Sequence, residues 1–181
     1  PALELDNRVI TESDQILLIL EKTFGPLGSS LNEPRIIKLR NLERQLFRAW
    51  CIWLCNPSNR KSQEEQRKDQ FQVLAEELDK LLRKSNTNFL DPLLTVNSKK
   101  YSPGSGDVIF IPYLERMNAS LAYYKGFSLR KKYPFIDKWF QCLEEDDVYQ
   151  GTQGDFHTHS HDLPPQMGGC WLDPNPDQLK F

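Results

Sequence analysis

The chain has 181 residues and a formal net charge of −2, with 39% hydrophobic and 27% charged residues. This composition is ordinary for a globular protein of one or two domains. The slight acidic excess argues against a nucleic-acid or membrane-surface function, which needs a basic surface, and no apolar run approaches the roughly 20 residues that span a bilayer.

The first twenty residues predict a β-hairpin followed by a helix. Residues 2–5 alternate small or apolar with polar side chains, and residues 8–10 are β-rich. Asp6-Asn7 between them is a turn pair, because both residue types tolerate left-handed dihedral angles. Residues 11–14, Thr-Glu-Ser-Asp, then open a helix, since a Thr or Ser hydroxyl caps free N–H groups and the carboxylates favour the positive helix end.

A loop rich in Gly, Pro and Ser follows, and we place a domain boundary there, between residues 24 and 34. Beyond it, apolar side chains recur at three- and four-residue steps and predict four helices, over residues 36–55, 63–84, 107–124 and 134–145. Ser62 and Glu65 predict a capping box for the second of these helices. Residues 85–106 predict a long connection whose leucines and phenylalanine fold back on the helices. Pro112 predicts a bend or a first helical turn.

Three short motifs, in this order, resemble those of the glutathione transferase family. They are Pro1-Ala2-Leu3 before the hairpin, Glu12-Ser13 opening the first helix, and Tyr133-Pro134 with Trp139 in the last one. The resemblance implies a mainly α fold, in which a β-hairpin and helix from a partial thioredoxin-like domain precede the family's C-terminal helical domain. The chain departs from the family where Gly104 replaces the usual Ser or Thr three residues before Asp107.

The domains expected from this resemblance are the end of the thioredoxin-like domain (1–27), the helical domain (35–147) and a tail packed on that domain or on a partner (148–181). In the family, the Glu-Ser pair holds the γ-glutamyl end of glutathione. Glu12 and Ser13 would therefore bind glutathione, and Pro1 would set the loop facing its cysteine. The chemistry agrees, since a carboxylate receives an ammonium and a Ser hydroxyl at a helix N-terminus receives a carboxylate. The alternative is that the pair only caps the helix.

The catalytic residue is unknown. The family's activating Ser, Tyr or Cys lies at the start of a helix that would precede Pro1. Because the chain also lacks an initiator Met, we expect it to be processed or incomplete.

Four aromatic or basic side chains are candidates for the acceptor pocket of such an enzyme: Phe47, Trp50, Tyr113 and Arg116. Core packing is the alternative for each of them, because helical spacing places core and pocket residues on the same face. Cys51 and Cys55, four residues apart on one helix, predict buried thiols in a reducing compartment rather than a metal or redox pair.

All three histidines lie in the tail, as His157, His159 and His161. In an extended segment the imidazoles would follow at steps of about 7 Å, which is too far for one ion without a bend. A turned segment with Asp155, Asp162 or Cys170 nearby could bind zinc. We favour the alternative, in which the histidines pack the tail over the helices, and expect no metal cofactor.

Residues 113–127 and 155–170 look like those of a glutathione-transferase-like subgroup from cyanobacteria, algae and plants, which implies a phototroph and a chloroplast location. Two functions follow. The first is an enzyme that uses glutathione for transfer or thiol reduction. The second is a non-catalytic subunit that docks in a larger plastid assembly, such as a photosynthetic complex. The expected partners are glutathione and either a second copy of the chain or other proteins of an assembly.

Overall fold

The structure is a computed structural model that describes residues 2–56, 58, 60–95 and 100–161. Pro1 and the tail beyond His161, including Asp162 and Cys170, therefore lie outside the described residues. Strand β1 (Leu3–Leu5) pairs antiparallel with β2 (Arg8–Ile10). Asp6 and Asn7 between them have φ angles of 50° and 61°. The predicted hairpin is confirmed, with both turn residues in the left-handed region that a two-residue hairpin requires.

The remainder is mostly helical, as predicted. The helices are α1 (Ser13–Phe24), α2 (Pro34–Cys55), α3 (Lys61–Lys84), α4 (Ser105–Val108), α5 (Ile111–Lys125), α6 (Leu129–Lys132), α7 (Pro134–Glu144), α8 (Asp147–Gln150) and α9 (Phe156–His161). The predicted helix over residues 107–124 is divided into α4 and α5. Pro112 stands in the first turn of α5, where its missing N–H costs nothing. No helix in the described part of the chain is both long and apolar enough to cross a bilayer.

Both predicted helix caps are wrong. Helix α3 begins at Lys61 with Arg60 as its N-cap, so Ser62 already lies inside the first turn and makes no cap bond. In the same way, α1 begins at Ser13, its N-cap is Glu12, and no side chain caps it. In both helices the serine lies inside the helix and not at the N-cap position. Its hydroxyl therefore cannot accept a hydrogen bond from the backbone N–H groups of the first turn.

The predicted long connection contains a second hairpin, in which β3 (Pro92–Thr95) pairs antiparallel with β4 (Lys100–Pro103). Phe89 and Leu90 are buried, as predicted. Leu94 is exposed, which contradicts the prediction that it folds back on the helices. A strand within a two-stranded hairpin has one face that no helix covers, and Leu94 lies on it.

One hydrophobic core is shared by α2, α3, α5 and α7. Its largest fully buried side chains include Trp50, Phe71, Phe110, Leu114, Met117 and Trp139. Cys51 and Cys55, which were predicted to be buried, are half-buried instead, and no disulfide forms among the described cysteines.

A buried aspartate joins three parts of this core. Asp107 is fully buried, and its Oδ1 accepts hydrogen bonds from the Leu90 backbone N–H (2.7 Å) and the Trp139 indole N–H (2.8 Å). Its Oδ2 accepts from the Asp91 N–H at 2.8 Å. Burial raises the pKa of the Asp107 carboxyl to about 6, against the lowering effect of these hydrogen bonds.

The glycine at position 104, where the glutathione transferase family usually has Ser or Thr, has a steric reason. Gly104 is the N-cap of α4. A Cβ atom on it would lie 2.3 Å from the Asp91 carbonyl oxygen and 2.7 Å from a carboxylate oxygen of the same residue. The Asp91 backbone is fixed in turn by Asp107, so the chain has no room for a Ser or Thr at this cap.

The N-terminal segment docks on the helices through polar contacts and through Leu17 and Leu31, which pack against the core. Helix α1 buries none of its side chains fully. Asp14 forms ion pairs with Arg40 and Arg44 of α2. At the other end of α1, the Glu21 carboxylate accepts hydrogen bonds from the Ser30 hydroxyl (2.5 Å) and the Leu31 N–H (2.7 Å). These contacts orient the first turn of α1 toward α5.

Candidate functional site

A cleft of about 630 Å³ lies between the first turn of α1, the α4–α5 junction and α8. Its wall is mostly apolar. The lining residues are Ser13, Ile16, Leu17, Leu27, Arg40, Leu93, Ser102, Pro103, Val108, Ile109, Ile111, Pro112, Tyr113, Asp146, Val148, Tyr149 and Thr152. Concave, largely apolar sites with a few polar groups are typical of small-molecule binding.

The start of α1 lies at this cleft, where Ser13 is one of the lining residues. It is the first residue of the helix, and the first intrahelical bond runs from the Ile16 N–H to the Glu12 carbonyl. The N–H groups of residues 13–15 are therefore those that a helix leaves unpaired. The Ser13 hydroxyl lies 3.5 Å from Asp14 Oδ1 and forms no other hydrogen bond to a described residue. Glu12 is exposed immediately before it.

Of the four residues predicted for an acceptor pocket, Tyr113 lines the cleft. Phe47 packs edge-on against the Tyr113 ring, with 5.2 Å between ring centroids. Trp50 lies deeper, buried in the core, where its indole N–H donates a 3.0 Å hydrogen bond to Ser120 Oγ. Arg116 is half-buried on α5 and is not among the residues that line the cleft. The aromatic contacts thus run from the cleft into the core through Phe47.

A cluster of charged side chains borders the cleft, and sequence reasoning missed it. Arg40 lines the cleft and pairs with Asp14. Beside it, the Glu43 side chain is only 1% exposed, and neither of its carboxylate oxygens has a hydrogen-bond partner among the described residues. Arg44 Nε lies 3.5 Å from Glu43 Oε2. Burial raises the pKa of Glu43 and lowers that of Arg40. The sequence signal that could have indicated this cluster was the position of Glu43, next to Leu42 on the apolar face of α2.

The opposite wall is formed by α8. Asp146 caps this helix by accepting from the N–H groups of Val148 (2.9 Å) and Tyr149 (3.3 Å). Tyr149 lines the cleft, and its hydroxyl is buried behind the wall. Burial and the neighbouring Glu115 carboxylate raise the pKa of Tyr149 well above its usual range. The Asp146 cap was the sequence signal for this short helix.

The three histidines lie on a helix, α9, so the extended alternative is wrong. His157 and His161 stack with ring centroids 4.0 Å apart. His159 lies on another face, with its Nε2 3.5 Å from Glu115 Oε2. Among the described residues, no group of three or more His, Cys, Asp or Glu side chains is placed to hold a metal ion. Because the helix divides the imidazoles between two faces, they do not converge on one point.

The tail helix packs on α5 instead. The Tyr124 hydroxyl donates a 2.9 Å hydrogen bond to the Ser160 carbonyl, and Ser160 is fully buried. Gly154 provides space for the His159 ring, since a Cβ atom at Gly154 would lie 2.5 Å from His159 Nε2. Residues 156–161 of the predicted tail therefore lie against α5.

No protein-family model matches the sequence, and no curated protein matches it. Among solved structures, the chain is similar to Leishmania TDR1, which is described as a unique trimeric glutathione transferase. The TM-score is 0.65 at 17% sequence identity, and the match covers 91% of this chain and 37% of that one. The chain thus spans little more than a third of this neighbour's length. The likeness shows a glutathione-transferase-like fold, in agreement with the fold predicted from the sequence motifs.

Proposed function

We propose that this chain forms part of a glutathione-dependent enzyme, a transferase or thiol reductase, and that its cleft holds both the γ-glutamyl end of glutathione and an apolar acceptor. The observation that carries the proposal is the position of Ser13, which begins α1 and lines an apolar cleft of about 630 Å³. The fold shared with a solved glutathione transferase supports it.

The γ-glutamyl end of glutathione carries a carboxylate and an ammonium on one carbon atom. The Ser13 hydroxyl and the unpaired N–H groups at the start of α1 suit the carboxylate, because they donate hydrogen bonds at the positive end of the helix. The exposed carboxylate of Glu12 suits the ammonium. The role predicted for Pro1 stays part of this proposal.

The acceptor would lie along the apolar wall formed by α4, α5 and α8. Chemistry in such an enzyme requires a glutathione thiolate, because the thiolate and not the thiol is the nucleophile. The residue that lowers the thiol pKa is not assigned. Tyr113 is the one residue of the predicted acceptor pocket that lines the cleft in the described part of the chain.

Calorimetric titration with glutathione tests the half-site, using the full chain and the variants Ser13→Ala and Glu12→Gln. We expect each variant to bind glutathione about tenfold more weakly, since each loses a charge-assisted hydrogen bond. The matched controls are Ser62→Ala and Glu65→Gln near the start of α3, which should leave the affinity unchanged. Equal affinity in all variants, or no binding to the unaltered chain, would reject the half-site.

The second candidate is a non-catalytic docking subunit, and exposed apolar side chains favour it. On α1 and the hairpin, Phe24 is 81% exposed and Val9 is 67% exposed. Exposed apolar side chains that lie close together are typical of surfaces that bind another protein. A homodimer or a larger plastid assembly, such as a photosynthetic complex, is proposed as the host.

Plastid location is tested by imaging a fluorescent fusion of the full-length protein. Self-association is tested by sedimentation velocity, in which the unaltered chain is compared with Phe24→Ser and Val9→Ser.

A further inference from the structure

Three helices, α5, α8 and α9, bring together buried polar atoms that have no hydrogen-bond partner among the described residues. These atoms are Glu115 Oε1, the Tyr149 hydroxyl oxygen and His159 Nε2. Glu115 belongs to α5, Tyr149 to α8 and His159 to α9. Because buried polar groups in folded proteins are nearly always paired, three such atoms side by side indicate a bound water molecule or ion.

The distance between the imidazole and the carboxylate suits a shared ion. His159 Nε2 lies 3.5 Å from Glu115 Oε2. An ordinary N–H···O hydrogen bond is shorter, at about 2.7–3.2 Å. Two ligands of a tetrahedral zinc ion, each about 2.0–2.2 Å from the metal, lie about 3.3–3.6 Å apart. The pair is therefore already at the separation that one ion between them requires.

The charge at this place favours a cation. The Glu115 side chain is 10% exposed, and in the described part of the chain its one ion-pair partner is His159, which is positive only when protonated. Burial and the Glu115 carboxylate both raise the pKa of Tyr149, because they oppose a further negative charge. A buried carboxylate without a positive charge beside it destabilises a fold, and a divalent cation would remove that cost.

The other two histidines are turned away from this place. His157 and His161 stack on each other, and both are exposed. His159 alone is directed inward, and Gly154 leaves space for its ring, since a Cβ atom there would lie 2.5 Å from Nε2. A site at His159 therefore differs from the site of three histidines considered from the sequence, because its other ligands come from α5 and α8.

We propose that Glu115, Tyr149 and His159 bind a divalent transition-metal ion, for which zinc is the best match, and that this ion fastens α8 and α9 to α5. Imidazole and carboxylate are zinc ligands, and the Tyr149 hydroxyl adds a third donor. The set has only two His or Glu side chains, so it is smaller than the group of three that is missing from the described residues. The ion is structural, because the Tyr149 hydroxyl lies behind the cleft wall.

Zinc titration of the full chain tests the proposal. The protein is first dialysed against a chelator and then titrated with zinc chloride in a calorimeter. We expect one zinc ion to bind per chain. His159→Ala and Glu115→Gln should each weaken binding by at least about tenfold, since each removes a ligand. Tyr149→Phe removes one oxygen atom and keeps the ring, so it tests the third donor with little change to the packing.

His157→Ala is the matched control, because it removes an exposed imidazole from the same helix. It should bind zinc as the unaltered chain does. Thermal unfolding provides a second measurement: zinc should raise the melting temperature of the unaltered chain and of His157→Ala, but not that of Glu115→Gln. Circular dichroism of each variant without zinc checks that its helices are intact.

Three results would overturn the proposal. The unaltered chain could fail to bind zinc, which would assign the three buried atoms to bound water. Zinc could bind His159→Ala and Glu115→Gln undiminished. Zinc could also be lost from His157→Ala and kept by Glu115→Gln, which would assign it to the exposed pair of His157 and His161. The glutathione titration tests the proposed function separately, since none of its variants alters these residues.

Discussion

The indole N–H of Trp139 donates a 2.8 Å hydrogen bond to Oδ1 of Asp107 in the fully buried core. Trp139 belongs to α7 and Asp107 to α4, whose continuation toward α5 forms one wall of the cleft. The same carboxylate holds the backbone of Leu90 and Asp91. The geometry of the cleft therefore depends on a buried aspartate that does not itself line it.

Replacing Asp107 with Ala should lower the free energy of unfolding by about 3 kcal/mol or more, because it leaves three buried N–H donors without a partner. Urea denaturation monitored by tryptophan fluorescence measures the change. The control is Asp69→Ala on the exposed face of α3, where we expect a change within about 0.5 kcal/mol. Equal stability of the two variants would show that the Asp107 bonds contribute little.

The contribution of Asp107 should also depend on pH. Its pKa of about 6 in the fold lies above the ordinary value of 3.8, so the folded state binds this proton more tightly than the unfolded state. The stabilising effect of burying the neutral acid is therefore complete below about pH 3.8 and falls as the pH rises through 6. Asp107→Asn does not titrate and serves as the reference.

The measurement compares urea unfolding of the two proteins between pH 4 and pH 7, a window set by this pKa. The free energy of unfolding of the unaltered chain, minus that of Asp107→Asn, should decline with rising pH. If this difference grows with pH instead, the hydrogen bonds from the three N–H donors affect the pKa of Asp107 more strongly than burial does, and they lower it.

Gly104→Ala should destabilise the fold by about 2 kcal/mol or more, because its Cβ atom would lie 2.3 Å from a backbone carbonyl oxygen that cannot move away. Thermal unfolding followed by circular dichroism measures the loss. Gly151→Ala is the control, since its Cβ atom would meet nothing closer than 3.6 Å. Should both variants melt at the same temperature, the close approach of Asp91 would not be the reason for glycine at the α4 cap.

His159→Ala should loosen the tail helix α9. The His159 side chain is 15% exposed, and its partner Glu115 is 10% exposed, so removal of the imidazole leaves a buried carboxylate without its neighbour. We expect amide hydrogens of residues 156–161 to exchange about tenfold faster, because the opening of α9 becomes more favourable. Hydrogen-exchange mass spectrometry measures this.

His157→Ala is the control for that experiment, because His157 is exposed on another face of α9 and, among the described rings, stacks on His161. It should leave exchange nearly unchanged. Equal acceleration in both variants would indicate that general helix propensity, rather than the contact with Glu115, holds α9 in place.

Local patterns in the sequence predicted most of the fold. Asp6-Asn7 specified the hairpin because two adjacent residues tolerate left-handed dihedral angles, and apolar periodicity specified the long helices. The caps failed because a serine near a helix start does not determine which residue begins the helix. For α3 the first turn formed one residue before Ser62.

The candidate site was less predictable, because it depends on contacts between distant residues. Ser13 was found from a motif, and it does line the cleft. Trp50 and Tyr113 could not be separated by spacing, since core and cleft residues share the inner faces of α2 and α5. Arg40 and Glu43 belong to no motif, and the one signal was the position of Glu43 on the apolar face of α2. The sequence does not show the burial of Glu43 or the ion pair between Arg40 and α1.

The central claim, that the start of α1 binds the γ-glutamyl end of glutathione, is tested most directly by one calorimetric comparison on the unaltered chain. Glutathione and cysteinylglycine share the thiol and the glycyl carboxylate, and only glutathione carries the γ-glutamyl group. Contacts at Ser13 and Glu12 predict that glutathione binds at least about tenfold more tightly. Equal affinity for the two compounds, or no binding of glutathione, would contradict the account.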